Sequence, residues 1–168
     1  MFFKNFLKKV LLLVVFSLFL FFQAPVNAVF AADLTDDIRT LPLNEAGETK
    51  TYSIQEIAQG ERLFNVVCAT CHVRGTTKTN PNVGLSLEEL EGAVPARDNI
   101  EALIDYMKNP TTYDGEFELY EYHPSIRSAD IFPKMRNLTE SDLDQIAGYL
   151  LLQPRVQGAR WGGGKYTY

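Results

Sequence analysis

The feature that most constrains this chain is a cluster of two cysteines and one histidine. Cys68 and Cys71 are separated by two residues, and His72 follows directly. C-x-x-C-H is the arrangement that attaches a haem, because the two thiols can reach the two vinyl groups on one edge of the porphyrin while the histidine lies beneath the iron. A redox dithiol would not require His72, and a zinc site would need four ligands. The pattern therefore predicts one covalent haem c with His72 as an axial ligand.

The second axial ligand has three candidates after the motif, namely Met107, His123 and Met135. Met107 falls on the apolar face of a predicted helix, where packing is the expected role. Met135 precedes the last predicted helix, where many small cytochromes carry a ligand methionine. His123 lies in a non-periodic segment beside Pro124. A methionine opposite the histidine would raise the potential, whereas two imidazoles would lower it. Spacing alone leaves His123 and Met135 equally good.

The first 31 residues have the layout of a secretory signal peptide. Three lysines precede an apolar run over residues 10–22, and small residues follow. The run is short for a bilayer of roughly 30 Å, which favours cleavage over a membrane anchor. Cleavage is expected after Ala31, with Ala28 as the weaker alternative. The predicted organisation is a cleaved signal peptide over 1–31 and one domain over 32–168.

The mature domain is predicted to be acidic. Removing the signal peptide takes away three lysines and no acidic residue, so 13 basic residues remain against 21 acidic ones and the formal charge is −8. Such a domain is a poor binder of nucleic acids and anionic membranes, because both repel negative charge. It suits a partner with a basic face or a place in a larger assembly.

Four helices are predicted in the domain, and capping boxes mark the starts of three. In a capping box, the N-cap side chain and the third residue of the helix each bond the other's backbone N–H. The boxes are Ser53 with Glu56, Ser86 with Glu89, and Thr139 with Asp142. The fourth helix is predicted to start at Asp98, and Pro154 is expected to follow the end of the last helix. The domain should be mainly α-helical.

The remaining segments are predicted to form one hairpin and two loops. Residues 40–43 and 49–52 have strand character and flank the turn-forming residues 44–47, which predicts a small N-terminal β-hairpin. Residues 73–86 are predicted to form a loop. Residues 111–136 are long, aromatic and without periodicity, and such a segment inside a compact domain is usually functional.

These features together resemble the class I cytochromes c. The resemblance rests on Gly60, Phe64 and the motif at 68–72, followed by a terminal amphipathic helix. In that fold the first and last helices cross, which would explain a glycine inside the first helix and would place Phe64 against the Tyr149 and Leu150 side. The resemblance implies a mainly α, class I cytochrome c-like fold around one covalent haem, with a small N-terminal β-hairpin.

More narrowly, the domain is similar to the cytochromes c-550, the extrinsic cytochromes of photosystem II. The similarity covers residues 32–168, and its matching stretches are residues 68–73, 77–81, 97–101, 106–115, 123–139 and 161–165. Iron has two histidine ligands in that family, so the resemblance implies His72 and His123 as axial ligands. Met135 would then be a packing residue near the haem. The implied cofactor-binding residues are Cys68 and Cys71.

The resemblance also implies a largely structural function. The expected role is that of a peripheral subunit on the lumenal side of the thylakoid membrane, which binds the photosystem II core and other extrinsic subunits. It would stabilise the oxygen-evolving manganese cluster and its retention of calcium and chloride. The tail over 161–168 would be a docking element, although a frayed terminus is the alternative. The other functions considered are a diffusible low-potential electron carrier and a related cytochrome c-550-like paralogue. An enzyme is not expected.

Overall fold

The computed structural model of the protein describes residues 2–21 and 34–162. The chain divides into two compact units, Met1–Asp33 and Leu34–Tyr168. In the first unit, helix α1 spans Phe2–Phe21. Among the helices in the described ranges, none has the length and apolar character needed to cross a membrane. The predicted cleavage site after Ala31 lies outside the described residues.

The second unit begins with a short helix and the predicted hairpin. Its first elements are α2 (Asp36–Arg39), β1 (Thr40–Pro42) and β2 (Thr49–Thr51). The two strands are antiparallel, with Thr40 opposite Thr51, so the predicted hairpin is confirmed. Helix α2 was not predicted. The buried Arg39 guanidinium donates to the Tyr52 carbonyl and to the Asp36 carboxylate, which ties this turn to the end of the hairpin.

Four further helices form the body of this unit. They are α3 (Ile54–Val67), α4 (Leu87–Glu91), α5 (Ile100–Lys108) and α6 (Glu140–Gln157). The three predicted capping boxes are all formed, at the starts of α3, α4 and α6. Helix α5 starts later than predicted, because Asn99 rather than Asp98 is its N-cap. The Asn99 Oδ1 accepts from the Ala102 N–H at 3.0 Å, which satisfies a backbone donor that has no partner inside the helix.

Helix α6 continues through Pro154, so the prediction that this proline follows the helix was wrong. The helix runs to Gln157, and its C-cap is Gly158, with a φ of 55° and its N–H donated to the Pro154 carbonyl. Proline cannot donate a backbone hydrogen bond within the helix. The last turn has another support, because Arg155 Nη1 donates to the Thr40 carbonyl at 2.7 Å. This contact with the hairpin favours continuation of the helix past the proline.

The loop predicted over 73–86 contains a short antiparallel strand pair. Its strands are β3 (His72–Val73) and β4 (Thr76–Thr77). Arg74 and Gly75 form the turn, with φ values of 51° and 81°, as a two-residue hairpin turn with left-handed residues requires. Strands of two residues are too short to produce a detectable alternation, which is why the prediction missed them.

The segment over 111–136 is largely irregular, as predicted. It contains an isolated bridge between Thr111 and Glu118 and a 3-10 turn over Pro133–Met135. That turn packs against α3, and the Met135 side chain within it is buried. The segment therefore connects α5 to α6 by a long path that carries His123.

The core of this unit is built on the crossing of α3 and α6. A Cβ atom at Gly60 would lie 2.0 Å from the Gln145 carbonyl oxygen and 3.0 Å from the Tyr149 Cβ, so the two backbones meet where only glycine fits. The Phe64 and Tyr149 rings pack 5.3 Å apart between centroids. The predicted crossing of the first and last helices of the domain, and the contact of Phe64 with Tyr149, are confirmed. Helix α5 also packs against α6.

Removing the hydroxyl of Thr139 is expected to destabilise this arrangement. Thr139 Oγ1 accepts from the Asp142 N–H at 3.2 Å, so Thr139→Ala should lower the free energy of unfolding by about 1 kcal/mol. Thr139→Ser keeps the cap and should change it by less than about 0.5 kcal/mol. Urea denaturation of the three proteins measures both values. Equal losses in the two variants would contradict the capping role.

Candidate haem site

The C-x-x-C-H residues lie where α3 ends and β3 begins. Cys68 is the C-cap of α3, and its N–H donates to the Phe64 carbonyl at 2.8 Å. The N–H groups of Cys71 and His72 both donate to the Cys68 carbonyl, at 3.1 and 2.9 Å. These bonds close a tight turn directly after the helix. The positions of the three residues are therefore set by the end of α3, a helix that packs in the core.

The two histidines of the chain lie next to each other. The ring centroids of His72 and His123 are 6.1 Å apart and the ring planes are inclined by 56°. A histidine–metal bond is roughly 2 Å long and the ligating nitrogen lies about 1 Å from its ring centre, so imidazoles on opposite sides of one ion have centroids about 6 Å apart. The observed separation fits a single metal ion held between the two rings.

The strand pair after the motif positions the first imidazole. His72 on β3 stands opposite Thr77 on β4, and the Thr77 hydroxyl lies 3.1 Å from His72 Nδ1. A histidine that ligates a metal usually engages its other nitrogen in such a hydrogen bond, which orients the ring. Burial lowers the pKa of His72, which favours the neutral imidazole needed for ligation.

The second imidazole has a buried nitrogen without a partner. The Nδ1 atom of His123 has no hydrogen-bond partner among the described residues, and the edge of the Tyr106 ring packs against the imidazole with centroids 5.1 Å apart. Burial, with a smaller contribution from His72, lowers the pKa of His123 to about 4. The ring is therefore neutral near pH 7 and has a lone pair available for a metal. The backbone is held by the His123 N–H, which donates to the Leu119 carbonyl at 2.7 Å.

The surroundings of Cys68 differ from those of a reactive thiol. Burial, and then the neighbouring Cys71, raise the pKa of the Cys68 thiol to about 12. A catalytic dithiol needs a thiol whose pKa is lowered, so the raised pKa of Cys68 does not favour a redox dithiol. Within residues 2–21 and 34–162, no group of three or more His, Cys, Asp or Glu side chains is arranged to hold a metal ion.

Comparison with known proteins identifies the family. The family model for the cytochrome c-550 domain matches residues 32–168. The chain belongs to the cytochrome c-550 family. One relative is photosystem II extrinsic protein V of Trichodesmium erythraeum, which is 59% identical over 95% of this chain and 98% of its own length. The protein of the same description from Thermosynechococcus vestitus is 54% identical over 96% of this chain and 99% of its own length.

Solved structures place the chain in the class I cytochrome c fold. The crystal structure of cytochrome c549 has a TM-score of 0.75 and 57% identity, and the match covers 76% of this chain and 99% of that one. The PsbV2 cytochrome from Thermosynechococcus elongatus has a TM-score of 0.62 and 38% identity, over 73% of this chain and 87% of that one. The predicted fold class is confirmed. Membership of the cytochrome c-550 family implies a haem cofactor, and this is not a known enzyme family.

The tail begins with a buried tryptophan. Trp161 is 3% exposed, and its ring centroid lies 5.7 Å from that of Phe64 and 5.9 Å from that of Tyr149. The aromatic ring thus covers the crossing of α3 and α6. At this residue the tail is anchored rather than frayed, while residues 163–168 of the predicted docking element lie outside the described residues.

The residue after the tryptophan is fixed against the loops that follow the motif. The Gly162 N–H donates to the Arg74 carbonyl at 2.9 Å. A Cβ atom at Gly162, where φ is 70°, would lie 2.3 Å from the Ser86 nitrogen, and one at Gly75 would lie 2.6 Å from the Gly162 nitrogen. Three separate segments of backbone therefore meet here without space for side chains.

Sequence reasoning missed two residues that contact the histidines. Thr77 and Tyr106 both lie in stretches that carry the family resemblance, but no local pattern assigns either one a contact. The contact of Thr77 depends on a strand pair too short to predict. The contact of Tyr106 depends on the path of the irregular segment that brings His123 back to α5.

Proposed function

We propose that the chain carries one haem c, bound through thioethers to Cys68 and Cys71, with His72 and His123 as its two axial ligands. The observation that carries this proposal is the pair of imidazoles with ring centroids 6.1 Å apart. Met135 is a packing residue in the turn against α3, in keeping with its burial. When bound, the haem supplies reversible one-electron chemistry at its iron.

The residues around the candidate site hold the attachment points and orient the two imidazoles. The tight turn at 68–72 holds both thioether positions, and Thr77 orients the imidazole of His72 through its hydroxyl. Tyr106 packs against the other imidazole and limits its rotation. Two imidazole ligands lower the reduction potential relative to histidine–methionine ligation. They also leave no coordination position for a substrate, so the proposed role is not enzymatic.

We further propose that the protein is an extrinsic subunit on the lumenal side of photosystem II. There it would stabilise the oxygen-evolving manganese cluster and the retention of calcium and chloride. The support is the description of the relatives as photosystem II extrinsic protein V, matched over nearly their whole length. The acidic character of residues 32–168 suits docking on a basic surface of a larger assembly. Residues 1–31 would be removed during export, which amino-terminal sequencing of the native protein tests directly.

Rebinding to stripped membranes tests the assignment to photosystem II. Photosystem II membranes are washed with concentrated salt to remove peripheral proteins, and the purified haem-loaded protein is added back. Oxygen evolution should recover most strongly when calcium and chloride are scarce. A protein that never co-purifies with the membranes and leaves the ion dependence unchanged would contradict the proposal. A defect in lumenal electron flow on deletion, with normal oxygen evolution, would favour the diffusible carrier instead.

Truncation after Gly162 separates folding from docking. Trp161 and Gly162, which pack against the domain, are kept in this variant, so we expect its absorption spectrum and thermal midpoint to be unchanged. Rebinding to stripped membranes should weaken by at least about tenfold, or about 1.4 kcal/mol, if these residues dock. Truncation after Arg160, which also removes the buried ring, is the matched variant and should lower the thermal midpoint. Full rebinding by the first variant would contradict the docking role of the tail.

A further inference from the structure

A buried arginine lies close to the candidate haem site. Arg97 is 7% exposed, in the segment between α4 and α5. Its backbone N–H donates to the Leu90 carbonyl at 2.9 Å. Its guanidinium Nη2 donates to the carbonyls of Thr112 and Thr111, at 2.8 and 3.2 Å. The side chain is therefore held from α4 and from the start of the irregular segment that carries His123.

This cation has no carboxylate partner in the part of the chain that the structure describes. The ion pairs found there involve other basic residues, namely Arg39, Lys50, Lys108 and Arg127. Burial lowers the pKa of Arg97, but a guanidinium starts from so high a value that it keeps its charge at neutral pH. A buried charge without an opposite charge is unfavourable, so its presence requires a compensating interaction.

The carbonyls of Thr111 and Thr112 compensate part of this charge, and a second interaction of the guanidinium leads to His123. The guanidinium carbon of Arg97 lies 3.9 Å from the centroid of the Tyr106 ring, in cation–π contact. The same ring meets the imidazole of His123 edge-on, with centroids 5.1 Å apart. Cation, aromatic ring and imidazole thus form one series of direct contacts. Arg97 and Tyr106 are both outside the motif and are not candidate ligands.

We propose that Arg97 is a positioning residue for the haem site that raises its reduction potential and, through Tyr106, fixes the orientation of the His123 ring. The inference rests on the proposed ligation by His123. Reduction adds one electron and makes the iron site less positive by one charge, so a fixed cation nearby favours the reduced state. The planar guanidinium stacks on the phenol ring in a way that a lysine ammonium cannot reproduce. The charge and the stacking can therefore be tested separately.

Potentiometric titration of the haem-loaded mature protein tests the effect of the charge. Arg97→Gln should shift the ratio of reduced to oxidised protein about tenfold towards the oxidised form, which is a midpoint lower by about 59 mV for one electron. Arg62→Gln removes the same charge from an exposed side chain of α3 and is the control. Its midpoint should equal that of the unmodified protein. Equal shifts in both variants would show a general effect of net charge and overturn the proposal.

Low-temperature spin resonance of the oxidised protein tests the positioning. Arg97→Lys keeps the charge and should keep most of the midpoint, but its spectrum should change because the Tyr106 ring is no longer stacked. Tyr106→Leu removes the ring and leaves Arg97 in place, so its spectrum should change as well. Tyr106→Leu therefore tests the positioning role even if Arg97→Gln fails to fold. An unchanged spectrum in Tyr106→Leu would overturn that role.

The ligation by His123 and the role of Arg97 can be contradicted separately. If the unmodified protein lacks the spectrum of two imidazole ligands, the ligation by His123 is wrong. If that spectrum is present and Arg97→Gln has an unchanged midpoint, the ligation stands and the role of Arg97 is wrong.

Discussion

His123→Ala is expected to convert the oxidised haem protein from a low-spin to a high-spin spectrum and to let the reduced protein bind carbon monoxide rapidly. The variant removes the second imidazole and opens one coordination position on the iron. The domain should still fold, because His123 Nδ1 makes no hydrogen bond to any described residue and the backbone bond from His123 to Leu119 does not involve the side chain. Low-temperature spin resonance and absorption spectra after addition of carbon monoxide measure the two effects.

Met135→Leu is the matched control for this experiment. Methionine and leucine side chains are both apolar and similar in volume, so the exchange at this buried position should lower the free energy of unfolding by less than about 1.5 kcal/mol. Its spectra should match those of the unmodified protein. Unchanged coordination in His123→Ala, together with an altered spectrum in Met135→Leu, would identify the methionine as the ligand and contradict the proposed site.

Gly60→Ala is expected to be the most destabilising single-atom addition in the crossing of α3 and α6. The new Cβ atom would lie 2.0 Å from the Gln145 carbonyl oxygen and 2.7 Å from its carbonyl carbon, and both atoms belong to the backbone of a packed helix. Overpacking of this kind typically costs 1–3 kcal/mol, and the rigidity of two helical backbones places the net loss at about 3 kcal/mol. The thermal midpoint should fall by roughly 10 °C.

Gln55→Ala provides the comparison within the same helix. Gln55 is exposed on α3, so the change to alanine should stay within about 0.5 kcal/mol. Alanine is intrinsically better than glycine in a helix by about 1 kcal/mol, so any loss in Gly60→Ala must come from the crossing and not from the helix itself. A thermal midpoint for Gly60→Ala at or above that of the unmodified protein would contradict the close approach.

Features that depend on a few neighbouring residues were predictable from the sequence. The boxes at Ser53, Ser86 and Thr139 each require only a hydroxyl and a carboxylate three residues later, so they mark helix starts correctly. The hairpin follows from turn residues between two short strands. Gly60 was predictable for a related reason, since a glycine that weakens its own helix suggests a close contact elsewhere.

Features that depend on distant contacts were not predictable in the same way. Asn99 and Asp98 are both good N-caps, and the choice between them depends on the structure on either side. Pro154 ordinarily ends a helix, but Arg155 ties the last turn to the hairpin. Spacing could not choose between His123 and Met135, because proximity to His72 depends on the whole path of residues 111–136.

The burial of Arg97 is the feature that was hardest to predict from the sequence. Arg97 carries no local sign of burial, since its partners come from three separate parts of the chain. Leu90, Tyr106 and Thr112 each contribute one contact, and none of them forms a pattern with Arg97 in the sequence. Only the folded arrangement shows that a cation lies behind the ring that packs on His123.

The contacts of Trp161 and Gly162 set the point in translation at which the crossing of α3 and α6 can be covered. The ribosome completes Cys68 and Cys71 before it reaches α6 and Trp161, which pack on α3. Until Gly162 is translated, residues 74–75 and 84–86 lack the third backbone segment that packs against them. Helix α3 and the turn at 68–72 are therefore made before the residues that pack over α3, so this part of the core can close only after α6 and Trp161 have been translated.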